Sequence, residues 1–154
     1  MSALRVAIIG AGRRAQGLGP FFARFLAEAG VEVAAISCAT EKGLHETRRI
    51  LSEHYQIHPR GFTDAADMLR VMTLDAVVIA SPSRSHLDYL RLALSAGLHT
   101  LCEKPFIYGC DNPHAVSLQI IDSYRKQKQT LMENVQWPYV LSAFRRLHPD
   151  AYSS

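Results

Sequence analysis

A glycine-rich turn stands near the start of the chain, directly after a run of β-branched and small apolar residues. Residues 10–15 read G-A-G-R-R-A, which is the G-x-G-x-x-A spacing of a dinucleotide-binding turn. In such a turn the first glycine permits a tight bend, the second lets the backbone approach a pyrophosphate, and the small last residue allows close helix packing. The free N–H groups of the following helix then bind the phosphate charge. The residues predicted to contact a dinucleotide here are Gly10, Ala11, Gly12, Arg13 and Arg14.

The second predicted strand ends without the carboxylate that usually holds the ribose diol of NAD, because residues 37–42 read S-C-A-T-E-K. A 2′-phosphate needs donors and positive charge where a diol needs acceptors. The residues that would meet this phosphate are Ser37, Cys38 and Thr40, with Lys42 and Arg13 or Arg14 as cations. Alternatively, Glu41 reaches back to the diol, or the ribose is loosely held. We expect NADP or NAD as cofactor, with a slight preference for NADP.

Two further polar segments follow predicted central strands, at residues 80–86 (A-S-P-S-R-S-H) and 99–105 (H-T-L-C-E-K-P). In an open parallel sheet, ligands bind beyond the carboxyl ends of the strands, so Glu103 and Lys104 would stand where a nicotinamide ring arrives. A lysine there can hydrogen-bond a substrate hydroxyl or carbonyl, and the alternative is an exposed ion pair. Pro105 is a candidate for a cis peptide bond that aims Lys104 at the ring. For His86, helix capping and ligand contact are both open.

The elements that must position these residues follow from the alternation of short apolar runs with segments of helical period. Strands are predicted at Arg5–Ile9, Glu32–Ser37, weakly near 61–62, and at 76–80, 100–102 and 130–133. Gly19-Pro20 predicts that the first regular helix begins at Pro20. Asn112-Pro113 predicts a helix start, and one more helix is expected after Trp137. Right-handed crossovers then imply an α/β, Rossmann-type fold: a doubly wound, mainly parallel sheet with helices on both faces.

The combined segments resemble the N-terminal NAD(P)-binding domain of the Gfo/Idh/MocA oxidoreductases, the family of glucose–fructose oxidoreductase and inositol dehydrogenase. The matching elements are the glycine turn, Ser81-Pro82 with His86, A-G-L-H at 96–99 and E-K-P at 103–105, over residues 5 to about 137. The resemblance implies reversible hydride transfer between nicotinamide C4 and a carbinol carbon of a sugar, cyclitol or related polyol. The site roles it implies are Lys104 as catalytic lysine, Glu103 as support of the nicotinamide pocket, Ser81 and Pro82 along the pyrophosphate and nicotinamide ribose, and Gln136 at the nicotinamide.

The second half of such proteins is expected to be missing, because family members are more than twice this long. We expect residues 1–137 to form the dinucleotide-binding domain and residues 138–154 a crossover helix and tail leading to an absent substrate domain. That domain would supply substrate walls, a second acid/base group and the oligomerisation surface, so this chain is expected to be inactive alone. The alternatives are a non-catalytic dinucleotide sensor or regulatory module, like the galactose-pathway repressor of this fold, and a small free-standing nucleotide-binding module.

Composition sets the broad class. The chain has 154 residues, 48% of them hydrophobic, with 17 Lys+Arg against 14 Asp+Glu and a net charge of +3. These values are typical of a soluble globular domain and argue against disorder, a nucleic-acid partner or a membrane span. The 3 cysteines include no Cys-x-x-Cys pair, which argues for reduced thiols rather than a metal site. We expect a cytoplasmic protein whose partner is a small polyol or sugar.

Overall fold

The computed structural model describes residues 3–12 and 17–148, which form one parallel sheet with its connecting helices. The strands are β1 (Arg5–Ile9), β2 (Glu32–Ser37), β3 (Arg60–Phe62), β4 (Ala76–Ile79), β5 (His99–Glu103) and β6 (Leu131–Asn134). The helices are α1 (Gly19–Glu28), α2 (Glu41–Tyr55), α3 (Ala65–Val71), α4 (His86–Ser95), α5 (Pro113–Lys126) and α6 (Trp137–Leu147). A single 3-10 turn, Ser83–Ser85, precedes α4.

The six strands are ordered β3-β2-β1-β4-β5-β6, and every neighbouring pair is parallel. The chain moves outward from β1 in one direction and, after β3, returns to the other side of β1. This reversal between β1 and β4 is the switch point at which open α/β sheets bind their ligands. The predicted fold class is confirmed, and each predicted strand lies within one residue of the observed bounds.

The core lies on both faces of the sheet, because successive side chains of a strand point to opposite faces. In β1, Ile8 packs with Ile36 and Leu51 on the face covered by α1 and α2. Its neighbour Ile9 packs with Met68 on the face covered by α3 and α4. Burial on both faces explains why the central strands are continuous apolar runs rather than alternating ones.

Side-chain caps fix where several helices begin at the carboxyl edge of the sheet. The Thr40 hydroxyl accepts from the Gly43 N–H at 3.1 Å at the start of α2, and the Asn112 amide oxygen accepts from the Ala115 N–H at 3.1 Å at the start of α5. The predicted helix start at Asn112-Pro113 is confirmed. The first helix begins at Gly19, one residue before the predicted Pro20. Across residues 3–12 and 17–148, no helix has the length and apolar character needed to cross a membrane.

Candidate functional site

The glycine turn lies where the ends of three strands meet. Gly10 has φ +79°, and its N–H and that of Ala11 both donate to the Ser37 carbonyl, at 3.0 and 3.1 Å. A Cβ atom on Gly10 would lie 2.5 Å from Ser81 Cα, a backbone atom at the end of β4. Both the backbone conformation and the contact therefore require glycine. The turn after β1 is bonded to the end of β2 and packed against the end of β4.

Gly12 continues the turn toward α2. A Cβ atom there would lie 2.9 Å from Cys38 Sγ and 3.0 Å from Thr47 Oγ1, so the backbone approaches both side chains without a side chain of its own. A cavity of about 440 Å³ adjoins Gly12. It is also lined by Pro20 in the first turn of α1 and by Glu46 of α2. The predicted phosphate contacts Arg13 and Arg14 lie outside the described residues.

The residues predicted to meet the adenosine ribose, at and after the end of β2, differ in their exposure to solvent. Ser37 and Cys38 are buried, whereas Thr40 is exposed and caps α2. The Cys38 thiol lies 3.8 Å from the Thr47 hydroxyl, and burial raises the pKa of this thiol. Ser37 and Cys38 thus lie beneath the turn, and the residues that follow them, Ala39 to Lys42, are exposed.

In the segment after β4, the His86 ring contacts the backbone carbonyls of two loops. Ser81 is buried and Pro82 is exposed, and the Ser85 hydroxyl lies 2.9 Å from Ser81 Oγ and 2.7 Å from the Pro82 carbonyl. The His86 ring is 1% exposed, with Nδ1 2.8 Å from the Pro105 carbonyl and Nε2 2.9 Å from the Ser81 carbonyl. Both ring nitrogens face protein carbonyls, so this geometry disfavours direct ligand contact. His86 connects the loops that follow β4 and β5.

Lys104 stands at the carboxyl end of β5, directly after the buried Glu103. The Asn134 side-chain amide donates to the Glu103 carboxylate, and the Lys104–Pro105 peptide bond is cis. The Lys104 side chain is exposed and lines a cavity of about 440 Å³ together with Gln136, Val135 and Val140. The structure therefore brings the predicted residues Lys104 and Gln136 together at one cavity.

Two residues at the site were absent from the sequence-based expectations, Glu133 and Asn134 at the end of β6. Glu133 Oε1 accepts from the Phe106 N–H at 2.8 Å, and Asn134 is the partner of Glu103. Their signal was available, because residues 131–134 read L-M-E-N and polar residues that end a parallel strand lie at the ligand-binding edge.

These groups give the carboxyl edge the properties of a dinucleotide site. A tight glycine turn lies at the switch point, and a lysine lies two strands away at the end of β5. The cavity of about 440 Å³ beside Ala11 and Gly12 gives room for a pyrophosphate at the start of α1, so the residues present fit a nicotinamide dinucleotide. Among the described residues, no group of three or more His, Cys, Asp or Glu side chains could hold a metal ion.

The strand order and the glycine turn define a dinucleotide-binding Rossmann domain. Residues 4–135 match the family model GFO_IDH_MocA, described as oxidoreductase family, NAD-binding Rossmann fold. The chain belongs to this family, as the resemblance predicted.

Curated relatives of the chain are sugar and inositol dehydrogenases. D-Glucoside 3-dehydrogenase of Escherichia coli is 34% identical over 104 residues, which are 68% of this chain and 28% of that protein. D-Xylose 1-dehydrogenase (NADP(+)) 2 of Haloferax volcanii is 32% identical over 100 residues, which are 59% of this chain and 31% of that protein. The chain thus spans less than a third of these relatives.

A solved structure supports the fold. The scyllo-inositol dehydrogenase from Lactobacillus casei, with bound cofactor NAD(H) and scyllo-inositol, superposes with a TM-score of 0.74 at 22% identity. The match covers 96% of this chain and 42% of that one, so the likeness extends along nearly all of the present residues.

Proposed function

We propose that this domain binds NAD or NADP across the carboxyl edge of its sheet and serves an oxidoreductase that oxidises polyol carbinols to carbonyls and reduces the carbonyls in the reverse direction. The observation that carries the proposal is the placement of the Gly10 turn and Lys104 at the same sheet edge, on strands either side of β4. The names of the relatives, which are dehydrogenases of D-xylose and D-glucoside, support sugars, cyclitols or similar polyols as the substrate class.

Lys104 acts on the substrate hydroxyl in this proposal. When bound, the nicotinamide supplies the acceptor or donor of the hydride. Lys104 Nζ hydrogen-bonds the hydroxyl oxygen and takes up or relays its proton as the carbinol carbon loses hydride, so a carbonyl forms and the charges balance. Gln136 shares the cavity of Lys104 and orients polar atoms there. Glu103, held by Asn134, supports the nicotinamide end.

For cofactor choice, we propose that NADP binds at least as well as NAD. Residues 37–40 contain no carboxylate, and the exposed residues after them include Lys42, which supplies a cation, as well as Glu41. A 2′-phosphate favours a cation and donors. The competing arrangement uses the exposed Glu41 carboxylate as acceptor for the diol of NAD.

Binding is tested by thermal unfolding with NAD, NADH, NADP and NADPH. A ligand at 100 times its dissociation constant stabilises the fold by about 2.7 kcal/mol, which is a measurable rise in melting temperature. Lys42→Ala is expected to weaken NADP binding about tenfold and to leave NAD binding unchanged, because it removes a charge-assisted contact to phosphate. A folded protein that shows no shift with any of the four at millimolar concentration contradicts the proposal.

Catalysis is tested in a longer protein that contains these residues and turns over polyols. Lys104→Ala is expected to lower kcat strongly at nearly unchanged dinucleotide affinity, because the lysine acts on the reacting hydroxyl. Lys126→Ala, which removes an exposed lysine on α5, is the matched control and should leave kcat unchanged. Equal kcat in the two variants would remove Lys104 from the reaction.

A further inference from the structure

The two residues that follow Lys104 are each bonded to a different neighbouring element. The Phe106 N–H donates to Glu133 Oε1 of β6 at 2.8 Å. The Pro105 carbonyl lies 2.8 Å from Nδ1 of His86, the first residue of α4. A carboxylate that accepts a backbone N–H makes a charge-assisted bond, which is about twice as strong as a neutral one. The segment after Lys104 is therefore held at two successive residues.

Glu133 is exposed at the end of the last strand of the sheet, and its strand neighbour Met132 is 57% exposed. Its side chain lines a cavity together with Phe106 and Leu131. Glu133 is separated from Phe106 by 27 residues, and its bond joins β6 to the loop after β5. On the other side of the loop, the ring of His86 is fixed between two carbonyls.

We propose that Glu133 is a positioning residue for Lys104, with His86 as the second anchor of the same backbone segment. Lys104 is exposed, and the residue before it, Glu103, is buried. The Glu133 bond fixes the chain on the opposite side of Lys104 from Glu103. The origin of the lysine side chain is then set from both directions, which matters because a misplacement of about 1 Å can cost about a hundredfold in rate.

The role assigned to Lys104 rests on the proposed function, whereas the Glu133 bond can be measured without any catalysis. Three variants separate the effect of side-chain length at residue 133 from the effect of its charge. Glu133→Gln keeps a side-chain oxygen at the same reach without the charge. Glu133→Asp keeps the charge but is one methylene shorter, and Glu133→Ala removes the acceptor. Asp122→Ala is the control, since Asp122 is a carboxylate on α5 whose side chain is 63% exposed.

The first measurement is amide hydrogen exchange at Phe106, with the fold of each variant checked by its melting temperature. The second is NMR of ¹³C-methylated lysines, which is tractable because the chain has four: Lys42, Lys104, Lys126 and Lys128. In the Ala and Asp variants we expect exchange at Phe106 to accelerate by at least about fivefold. The Lys104 signal should move while the other three stay in place. The Gln variant should lie between the wild type and the Ala variant, because it keeps the acceptor but makes a neutral bond of about half the strength. Asp122→Ala should resemble the wild type.

Unchanged Phe106 exchange and an unchanged Lys104 signal in folded Glu133→Ala and Glu133→Asp would overturn the proposal. If the alanine variant fails to fold, the aspartate variant decides. In a longer protein that contains these residues and turns over polyols, Glu133→Asp should lower kcat by about tenfold and change the KM for dinucleotide by less than about twofold. If the wild type neither binds dinucleotide nor turns over, the proposed function fails, and the exchange and NMR results still decide whether Glu133 holds this segment.

Discussion

Gly10 is the residue on which the geometry of the turn depends most directly. Its φ of +79° lies in the left-handed region, and a Cβ atom there would meet the backbone of Ser81 at 2.5 Å. Gly30, which follows α1, has nearly the same φ of +77° but nothing within 4 Å of a Cβ atom. The two glycines therefore separate the cost of the backbone conformation from the cost of the contact.

Replacing each of these glycines by alanine gives a matched comparison. Gly30→Ala should lower the free energy of unfolding by about 1 kcal/mol, which is the cost of a left-handed conformation for a residue with a Cβ. Gly10→Ala should cost at least about 2 kcal/mol more, because strand ends must separate to admit the methyl group. Urea unfolding measures both values. Equal losses in the two variants would show that the end of β4 yields to the added atom.

Single residues show how far the sequence predicts the site. Gly10 and Lys104 were predicted at the ligand-binding edge, because each follows a strand with a recognisable local pattern. The environment of His86 could not be predicted, since its partners Ser81 and Pro105 are brought to its ring by the packing of two loops. The position of Glu133 at a polar strand end could be read from the sequence, but its partner Phe106 could not, because Phe106 belongs to the loop after another strand.

Among the elements, α5 is hydrogen-bonded to two neighbours through the side chain of Tyr124. Tyr124 is buried and donates from its hydroxyl to the Leu90 carbonyl of α4 at 3.1 Å. Its oxygen also lies 2.8 Å from the Thr100 hydroxyl of β5. Burial raises the pKa of Tyr124 to about 12. The Tyr124 hydroxyl thus links α5, α4 and β5 by hydrogen bonds inside an apolar core.

Tyr124→Phe should lower the free energy of unfolding by about 1–3 kcal/mol near neutral pH, because it leaves buried hydrogen-bonding groups of Leu90 and Thr100 without this partner. The folded pKa of about 12 lies above the unfolded value near 10, so the Tyr124 contribution is complete below pH 10 and declines as the pH rises toward 12. Urea unfolding at pH 7 and between pH 10 and 11 tests both statements. A stability difference between wild type and variant that grows above pH 10 would contradict the assignment.

The elements themselves were largely predictable. Even β3, expected only weakly from two residues, exists as Arg60–Phe62 beside β2. Strands buried on both faces have continuous apolar sequences, and helices have a clear apolar period, so local pattern suffices for both. The start of α1 was displaced by one residue because a proline marks only the first turn of a helix, where it is tolerated at more than one position.

For the molecule as a whole, the composition of the cavity at Lys104 determines how well the chain can catalyse hydride transfer by itself. Of the described residues that line its cavity, Lys104, Val135, Gln136 and Val140, the lysine alone carries a titratable group. Hydride transfer needs the alcohol carbon and its proton acceptor held in one geometry, which accounts for roughly 7–11 kcal/mol of barrier. Among these described residues, Gln136 is the one polar side chain besides the lysine that could orient a polyol.

The 154-residue chain is therefore expected to bind dinucleotide and to turn over polyols far below ordinary enzyme rates. The assay follows the absorbance of reduced cofactor with sugars, inositols and their oxidised forms. Heat-denatured chain sets the background rate. Turnover on the order of 10 per second would mean that these residues suffice for catalysis.

The strand order also sets a minimum length for the ligand. Hydrogen bonds keep neighbouring strands about 4.8 Å apart, so the ends of β1 and β5, with β4 between them, are about 10 Å apart. This span belongs to the backbone, and no exchange of surface side chains alters it. A nucleotide too short for it touches the turn or the lysine but not both, so the sheet itself discriminates between a whole dinucleotide and one of its halves.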